Sequence, residues 1–236
     1  MALPDLNLID EPKGLRELIS QSIRELSERA GHLEILEAGC GRQWPFRMKD
    51  ANYKLTGVDT DQEALETRQK RKKDLDVGIL GDLREVEFDA DQFDVIYSNF
   101  VLEHIQGAEA VLENFRKWLK PGGLMILTFP DRYSVYGFIT RISPFWFHVW
   151  YKRYLNGEKN AGKEGFGPYP TYHDPVIGRE AFRQYAEQHG LELVEEYGFG
   201  TLPAIQTLFT RLVQLVSFGQ LASRHKDLLY ILRQPG

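Results

Sequence analysis

Short apolar segments alternate with segments of helical periodicity along most of this chain. Apolar runs occupy residues 33–36, 54–58, 77–80, 93–97 and 124–129, and helix-like or irregular stretches separate them. Because strands that alternate with helices form parallel βαβ units, the pattern predicts a doubly wound α/β sheet with helices on both faces. Ligands bind such sheets at the carboxyl ends of the strands, near the switch in strand order. The residues that end each run are therefore the first candidates for a functional site.

The remaining segments place a single domain around this core. A length of 236 residues suits one sizeable α/β domain and is too short for two ordinary ones. We assign residues 1–32 to an N-terminal helix ended by Gly31, 33–130 to the core, 131–177 to an aromatic-rich insertion, and 178–236 to a helix and strands that complete the sheet. Further helices are predicted at 61–73, 102–119, 179–189 and 204–218.

Charge and composition exclude several classes of partner. The net charge of −5 argues against nucleic acid, because phosphate binding requires a basic surface. The basic run at 68–73 is flanked by acidic residues, so we interpret it as a solvated helix face. The single cysteine, Cys40, fits a reducing compartment. No signal-peptide pattern and no apolar stretch of roughly 18 residues is present, so we expect a cytoplasmic protein with at most peripheral membrane contact.

The loop after the first run, residues 37–41 (EAGCG), has the form of a cofactor-binding turn. A strand followed by Gly-x-Gly is by itself a weak signal. A pyrophosphate loop requires a third glycine and no preceding acid, whereas this loop continues as RQW and is preceded by Glu37. Because the carboxylate of Glu37 suits an ammonium group, the loop indicates a cofactor with an amino acid tail and no phosphate.

Carboxylates also end the second and third runs. Asp59 is positioned to accept hydrogen bonds from both hydroxyls of a ribose, and Asp82 from an adenine amino group. Each residue alone could instead be a helix cap, as the loop glycines could be ordinary turn residues. Residues suited to bind an ammonium group, a ribose and an adenine therefore follow one another along the chain. S-adenosylmethionine is a cofactor that contains all three groups.

Five motifs then carry a resemblance to a known family. LEAGCG, LTGVDTD, GDL, FDVIYSNFVLEHI and LKPGGLMILTFP, in this order over residues 33–130, resemble the motif set of class I S-adenosylmethionine-dependent methyltransferases. The resemblance implies a Rossmann-like, mostly parallel sheet of seven strands with the last antiparallel. The chain departs from the family pattern at Gln43 and Pro45. These two residues predict an irregular segment after the glycine loop, where the family normally has a helix. The cofactor-binding residues that it implies are Glu37, Ala38, Gly39, Gly41, Asp59, Thr60, Asp82, Leu83, Ser98 and Asn99.

Three histidines, His104, His148 and His173, are candidates for the general base, and we interpret His148 as a packing residue of the insertion. Methyl transfer is an in-line displacement in which the enzyme supplies mostly alignment, and a hydroxyl acceptor also needs a base near its proton. His173 lies in a proline-rich stretch of the insertion, and His104 follows the fourth strand near the expected sulfonium. We rank His173 first, and Asp174 beside it either orients the imidazole or belongs to a turn. No metal-binding spacing is present.

Aromatic residues crowd residues 131–154, where we expect a lid over the acceptor. Their faces suit a sugar ring, a flat aromatic compound or a lipid tail, and the alternative is a small satellite core. Flanking arginines and lysines would also fit a segment that approaches anionic lipid. The stretch NAGKEGFGPYPTYHDP, residues 160–175, loosely resembles methyltransferases of glycan and natural-product pathways, and this resemblance favours O-methylation of a sugar, a glycolipid or a natural product.

Other functions remain open at this level. An aromatic, quinone or other apolar metabolite is an alternative acceptor. A nicotinamide-dependent oxidoreductase on the same fold is disfavoured by the missing third glycine and by Glu37. A catalytically silent scaffold could pair with a partner through the apolar helix at 204–218, which could equally be core or a homodimer face.

Overall fold

The computed structural model describes residues 6–9, 12–46, 48, 50–154, 157–163, 167, 169–172, 174–200, 221–222 and 224–236. Two of the predictions made from sequence, the base role of His173 and the apolar helix at 204–218, lie outside the described residues. All statements below refer to the described part of the chain.

The described strands form a single sheet of eight members. They are β1 (Asn7–Ile9), β2 (Leu33–Ala38), β3 (Tyr53–Asp59), β4 (Val77–Leu80), β5 (Phe93–Asn99), β6 (Leu119–Pro130), β7 (Glu192–Phe199) and β8 (Asp227–Arg233). Their order across the sheet is β1-β7-β8-β6-β5-β2-β3-β4. All neighbours are parallel except β8, which is antiparallel to both β6 and β7. The prediction of a mostly parallel, doubly wound sheet with its last strand antiparallel is confirmed.

The predicted count of seven strands is wrong. The additional strand is β1, which pairs with β7 at the edge of the sheet through the register Asn7 to Tyr197. It is only three residues long, so it shows no period-two alternation that would distinguish it from a polar tail. Its position depends on a partner strand 190 residues later in the chain.

Helices cover both faces of the sheet, as predicted. They are α1 (Pro12–Ala30), α2 (Gln62–Glu66), α3 (Ala108–Trp118), α4 (Val135–Ile142), α5 (Phe145–Tyr154) and α6 (Arg179–Gln188). On one face, α3 and α6 bury Phe115, Trp118 and Phe182 against the sheet. On the other, α1 packs Ile19 and Ile23 against β2. None of these described helices has the length and apolar character needed to cross a bilayer.

The helix predicted at 102–119 is divided into two pieces. A 3₁₀ turn, Leu102–His104, is followed by Gly107 with a φ of 79°, and α3 begins only at Ala108. The Asp174 carboxylate accepts hydrogen bonds from the amides of Gly107 and Ala108 at 2.7 and 2.8 Å, which caps this helix from a distant segment. Asp174 is therefore held by the helix terminus, which sequence periodicity could not reveal.

Arg68 corrects the interpretation of the basic run as a solvated helix face. The run lies largely in a π-helical turn, Thr67–Lys72, and the side chain of Arg68 is 0% exposed. Its guanidinium donates to Glu37 Oε2 at 2.9 Å, to Asp74 Oδ1 at 2.8 Å and to the carbonyl of Cys40 at 2.8 Å. Arg71 and Lys72, in contrast, are exposed. One buried side chain thus ties the end of β2 and its glycine loop to the turn that precedes β4.

We expect substitution of Arg68 to destabilise the fold strongly. Arg68→Met leaves the buried carboxyl of Glu37 without its counter-charge, and breaking a buried pair by removing one partner costs about 3–5 kcal/mol. The free energy of unfolding from urea titration measures this loss. Arg71→Met, which removes the same charge from an exposed position of the same π-helical turn, is the matched control and should change stability by no more than about 0.5 kcal/mol.

A double variant separates charge from packing. Glu37→Gln combined with Arg68→Met should recover part of the lost stability, because the more deeply buried of the two carboxylates that pair with Arg68 is then neutral. Equal effects of Arg68→Met and Arg71→Met would contradict the structural role of the buried guanidinium.

Candidate active site

A cleft of about 1110 Å³ lies at the carboxyl ends of β2 to β5. Each of these parallel strands ends at the same edge of the sheet, so residues far apart in sequence meet there. Eight of the residues predicted from sequence line the cleft, and they are Gly39, Gly41, Asp59, Thr60, Asp82, Leu83, Asn99 and His104. The site expected from strand order is therefore assembled in space.

The glycine loop requires its glycines for two different reasons. Gly39 and Gly41 have φ values of 73° and 52°, which side-chain-bearing residues rarely adopt. A Cβ at Gly39 would also overlap the side chain of Val101, which lines the same cleft. The amides of Gly39 and Cys40 donate to the carbonyl of Val58 at 2.9 and 3.1 Å. The loop is thus folded back over the end of β3 and leaves open space beside Gly41.

Asp59 connects the glycine loop with the next loop. Its Oδ2 accepts from the amide of Gly41 at 2.7 Å, and its Oδ1 accepts from the amide of Asp61 at 2.9 Å. A carboxylate oxygen accepts about two hydrogen bonds, so both oxygens retain acceptor capacity on the side that faces the cleft. The side chain is pre-organised by the backbone before any ligand binds.

Asp82 is held by an arginine that sequence reasoning missed. Arg84 donates from Nη2 to Asp82 Oδ2 at 2.6 Å and from Nε to Oδ1 at 2.9 Å. This hydrogen-bonded pair lowers the pKa of Asp82, so the carboxylate stays an ionised acceptor at the edge of the cleft. The only sequence signal for the pair is the short spacing of the two residues in GDLR.

Three predicted cofactor residues lie behind the cleft rather than in its wall. Glu37, Ala38 and Ser98 are 4%, 0% and 1% exposed. The hydroxyl of Ser98 donates to the carbonyl of Ala38 at 3.1 Å, and Glu37 is paired with Arg68. Burial raises the pKa of Glu37, and the guanidinium of Arg68 opposes this shift and favours the ionised carboxylate. The contacts of Glu37 and Ser98 therefore hold the end of β2 in place, and none of the three residues lines the cleft.

Asn99 and Thr60 line the cleft from neighbouring strand ends. The hydroxyl of Thr128 donates to Asn99 Oδ1 at 2.6 Å, which holds the amide oxygen against β6 and leaves the NH₂ group as a donor. The next residue, Phe100, has a φ of 55° and also lines the cleft. A bulky residue in this conformation is uncommon, and such strain concentrates at functional sites.

His104 is the histidine that the structure brings to the cleft. Its Nδ1 lies 2.8 Å from the carbonyl of Pro170, and its ring contacts Tyr169 edge-on at 5.7 Å between centroids. Because a carbonyl only accepts, Nδ1 carries the proton and the neutral ring presents Nε2 as an acceptor. Burial lowers the pKa of His104 and the charge of Lys152 lowers it further, while the hydrogen bond to Pro170 opposes them. The imidazole is therefore neutral at pH 7.

The rim of the cleft contains charged and aromatic residues that sequence analysis did not single out. Arg42 Nη2 donates to Asp61 at 3.0 Å and to Glu63 at 3.3 Å. Tyr169 and Tyr172, from the insertion, complete the opposite wall. Among the residues that the structure describes, no cluster of three metal-binding side chains occurs.

Comparison with known proteins relates this architecture to one family. A family model described as a methyltransferase domain matches residues 13–196, which is most of the chain. Phosphoethanolamine N-methyltransferase 1 of Triticum aestivum is 30% identical over 118 residues, which are 48% of this chain and 23% of that protein. The ubiquinone biosynthesis O-methyltransferase of Rickettsia akari is 26% identical over 125 residues, 51% of this chain and 49% of that protein. The chain thus spans from under a quarter to about half the length of these relatives.

A solved structure shares the fold at low sequence identity. The phosphoethanolamine N-methyltransferase 2 of Haemonchus contortus, in complex with S-adenosyl-L-methionine, has a TM-score of 0.57 and 16% identity. The alignment covers 93% of this chain and 53% of that one. The family match, the Rossmann-like sheet and the cleft at its switch point agree, and the chain belongs to the class I S-adenosylmethionine-dependent methyltransferases, with S-adenosylmethionine as its cofactor.

Proposed function

We propose that this protein transfers the methyl group of S-adenosylmethionine to a small-molecule acceptor at the cleft described above. The observation that carries the proposal is the convergence of the glycine loop, Asp59 and Asp82 on one open volume of about 1110 Å³. This volume is ample for a nucleoside with an amino acid tail and an acceptor beside it.

Each part of S-adenosylmethionine can be assigned to particular residues that line the cleft. We assign the ribose hydroxyls to Asp59, whose carboxylate is already fixed by two backbone amides. The adenine is assigned to Asp82 and Leu83, and the methionine moiety to the space beside Gly39 and Gly41. Thr60 and Asn99 lie next to these groups and supply further polar contacts.

Glu37 has a supporting role in this proposal. Its carboxylate is buried and paired with Arg68, so an ammonium group in the cleft would have to displace a guanidinium to reach it. We therefore assign Glu37, Ala38 and Ser98 to the positioning of the glycine loop. The predicted direct contact between Glu37 and the ammonium group is replaced by this indirect one.

Methyl transfer requires alignment of the acceptor and removal of its proton. When bound, S-adenosylmethionine supplies an electrophilic methyl group, so the protein needs no nucleophile of its own. His104 provides a neutral imidazole whose Nε2 can take the proton of an acceptor at the cleft. His173 stays a candidate from sequence, and the geometry of His104 supports ranking it first.

The acceptor that we favour is a hydroxyl of a sugar, a glycolipid or a natural product. The aromatic side chains of the insertion and Tyr169 and Tyr172 at the rim support it, because aromatic faces suit sugar rings and apolar tails. The names of the relatives include both N- and O-methyltransferases, so an amine acceptor or an aromatic metabolite is the competing class. A panel of hydroxyl, amine and quinone acceptors, with release of S-adenosylhomocysteine as the readout, discriminates them.

The cofactor is tested by calorimetric titration with S-adenosylmethionine, S-adenosylhomocysteine and NAD⁺. We expect saturable binding of the first two ligands and none of NAD⁺, because the glycine loop lacks the third glycine that a pyrophosphate requires. A ligand at about 100 times its Kd adds roughly 2.7 kcal/mol of stability, so a rise in melting temperature of several degrees accompanies binding. Binding of NAD⁺ alone would overturn the proposal.

Asp59→Ala should weaken cofactor binding at least about a hundredfold, since two hydrogen bonds to a charged group are lost. Calorimetry measures the change, and circular dichroism checks that the fold is kept. Glu66→Ala, which removes the same charge from an exposed position outside the cleft, is the control and should leave the affinity unchanged. Equal affinities of the two variants would refute the ribose assignment.

His104→Gln should lower turnover by about 10²–10⁴-fold and leave cofactor affinity unchanged, because it removes a base and no cofactor contact. Turnover of the native protein should rise as pH increases through the pKa of His104, which burial holds below 6.5, and should level off above it. His148→Gln is the matched control, because His148 contacts the backbone carbonyls of Thr140 and Ser143 between α4 and α5. If only His173→Gln abolishes turnover, His173 is the base.

A further inference from the structure

A short exposed segment lies along the rim of the cleft next to His104. We call it the strap and define it as residues 169–174, of which the structure describes 169–172 and 174. Tyr169, Pro170 and Tyr172 line the cleft, and the two tyrosines are 50% and 54% exposed. Burial of these rings therefore does not hold the strap in place, and its position depends on its polar contacts.

Two main-chain groups of the strap contact the turn that carries His104. The amide of Tyr172 donates to the carbonyl of Glu103 at 2.8 Å, and the carbonyl of Pro170 lies 2.8 Å from Nδ1 of His104. Both partners belong to the 3₁₀ turn Leu102–His104, which precedes α3. Because Pro170 and Tyr172 are close neighbours in the chain, the contact of Tyr172 determines where the carbonyl of Pro170 lies relative to the imidazole.

Asp174 connects the strap to the start of α3. The N-cap of this helix is Gly107, which has no side chain to cap it, and Asp174 Oδ2 accepts from the amides of Gly107 and Ala108 at 2.7 and 2.8 Å. A carboxylate at a helix N-terminus also interacts favourably with the helix dipole. Ile177, shortly after Asp174 in the chain, is fully buried in the core. Asp174 therefore joins the exposed strap to the fixed part of the fold.

The contact with Pro170 determines what His104 can do chemically. A neutral imidazole carries its proton on one of its two nitrogens, and only the other nitrogen can accept a further proton. The carbonyl of Pro170 can only accept, so it selects the tautomer with the proton on Nδ1 and leaves Nε2 as the acceptor. In a ring released from Pro170 the proton could move to Nε2, and that nitrogen would then be unable to act as a base.

We propose that Asp174 is a positioning residue for methyl transfer, because by capping α3 it holds the strap so that the carbonyl of Pro170 keeps His104 in the tautomer of a base. This role rests on the base function proposed for His104. The sequence left Asp174 between orienting an imidazole and forming a turn, and the imidazole that it orients is that of His104. A carboxylate that only stabilised α3 would have no effect on this tautomer.

The groups around His104 determine the sign of a further effect. Burial lowers the pKa of His104, the hydrogen bond to Pro170 raises it, and the charge of Lys152 lowers it. Glu103 Oε1 lies 3.9 Å from Nε2, and the ring of Tyr169 stands edge-on to the imidazole. Loss of the contact with Pro170 should therefore lower the pKa of His104 further, since a carbonyl acceptor stabilises the protonated ring.

NMR of the histidine rings tests the proposal before any acceptor is known. The full chain is labelled with ¹⁵N-histidine, and the signals of His104 are assigned by their loss in His104→Gln. The native protein should show the proton on Nδ1, whereas Asp174→Ala should show both tautomers and a lower pKa of His104. Asp174→Asn keeps an oxygen that accepts from the helix amides, so it should retain the native tautomer. Circular dichroism checks that each variant folds.

Glu109→Ala is the matched control, because it removes the same charge from an exposed position in the first turn of α3. The tautomer and the pKa of His104 should not change in this variant. With an acceptor from the panel, Asp174→Ala should lower turnover at least about tenfold, as part of the roughly 10²–10⁴-fold that a general base supplies. Asp174→Asn should recover most of this loss.

An Nε2-protonated ring in the native protein, or the same tautomer and pKa in native protein and Asp174→Ala, would overturn the positioning role of Asp174. Equal effects of Asp174→Ala and Glu109→Ala would also overturn it, since the loss of charge at the helix terminus would then be the whole cause. A changed tautomer without any loss of turnover would contradict the base function of His104 and, with it, the role of Asp174. The NMR and turnover measurements therefore separate the two failures.

Discussion

A buried guanidinium joins three parts of the chain that surround the cofactor cleft. Arg68 binds the carboxylate at the end of β2, the carbonyl of the glycine loop and the carboxylate of Asp74, which also accepts from the amide of Trp44. Burial of an arginine is costly unless its hydrogen bonds are satisfied, and here each of three nitrogens has a partner. The position of the glycine loop, and with it the shape of the cleft, depends on this contact. The ion pair with Arg68 also explains why Glu37 precedes the glycine loop but does not line the cleft.

The parts of the fold that follow from local pattern could be predicted from the sequence. Strands β2, β3, β5 and β6 contain buried apolar runs and β4 a half-buried one, so their alternation with helices predicted the sheet, its direction and the edge that holds the site. The start of β6 at Leu119, ahead of the apolar run at 124–129, was not predicted. Asp59 and Asp82 were identifiable because they end strands. Pro45 correctly predicted an irregular segment between β2 and β3, where the described residues form no helix.

The remaining features depend on contacts between distant segments. Arg68 looked like one of several solvated basic residues, because its neighbours Arg71 and Lys72 are solvated and only the tertiary fold makes it different. The break before α3 is stabilised by Asp174, more than 60 residues away, and β1 exists only through its pairing with β7. The pairing of Arg84 with Asp82 was missed for a different reason, since a short i,i+2 contact across a loop has no periodic signal.

The aromatic insertion extends the argument from cofactor to acceptor. Methyl donor chemistry is common to the family, whereas the acceptor is determined by what lies over the cleft. His104 lines the cleft and combines a protonated Nδ1, fixed by the carbonyl of Pro170, with an acceptor Nε2 that lies 3.9 Å from Glu103 Oε1.

A crystal structure of the complex with S-adenosylhomocysteine tests the central claim most directly. We predict that the Asp59 carboxylate accepts hydrogen bonds from both ribose hydroxyls, at about 2.5–3.0 Å between oxygens. In the same structure Arg68 should keep its contact with Glu37. A ribose held by other residues, or a Glu37 carboxylate that has left Arg68 to bind the ammonium group, would contradict this account.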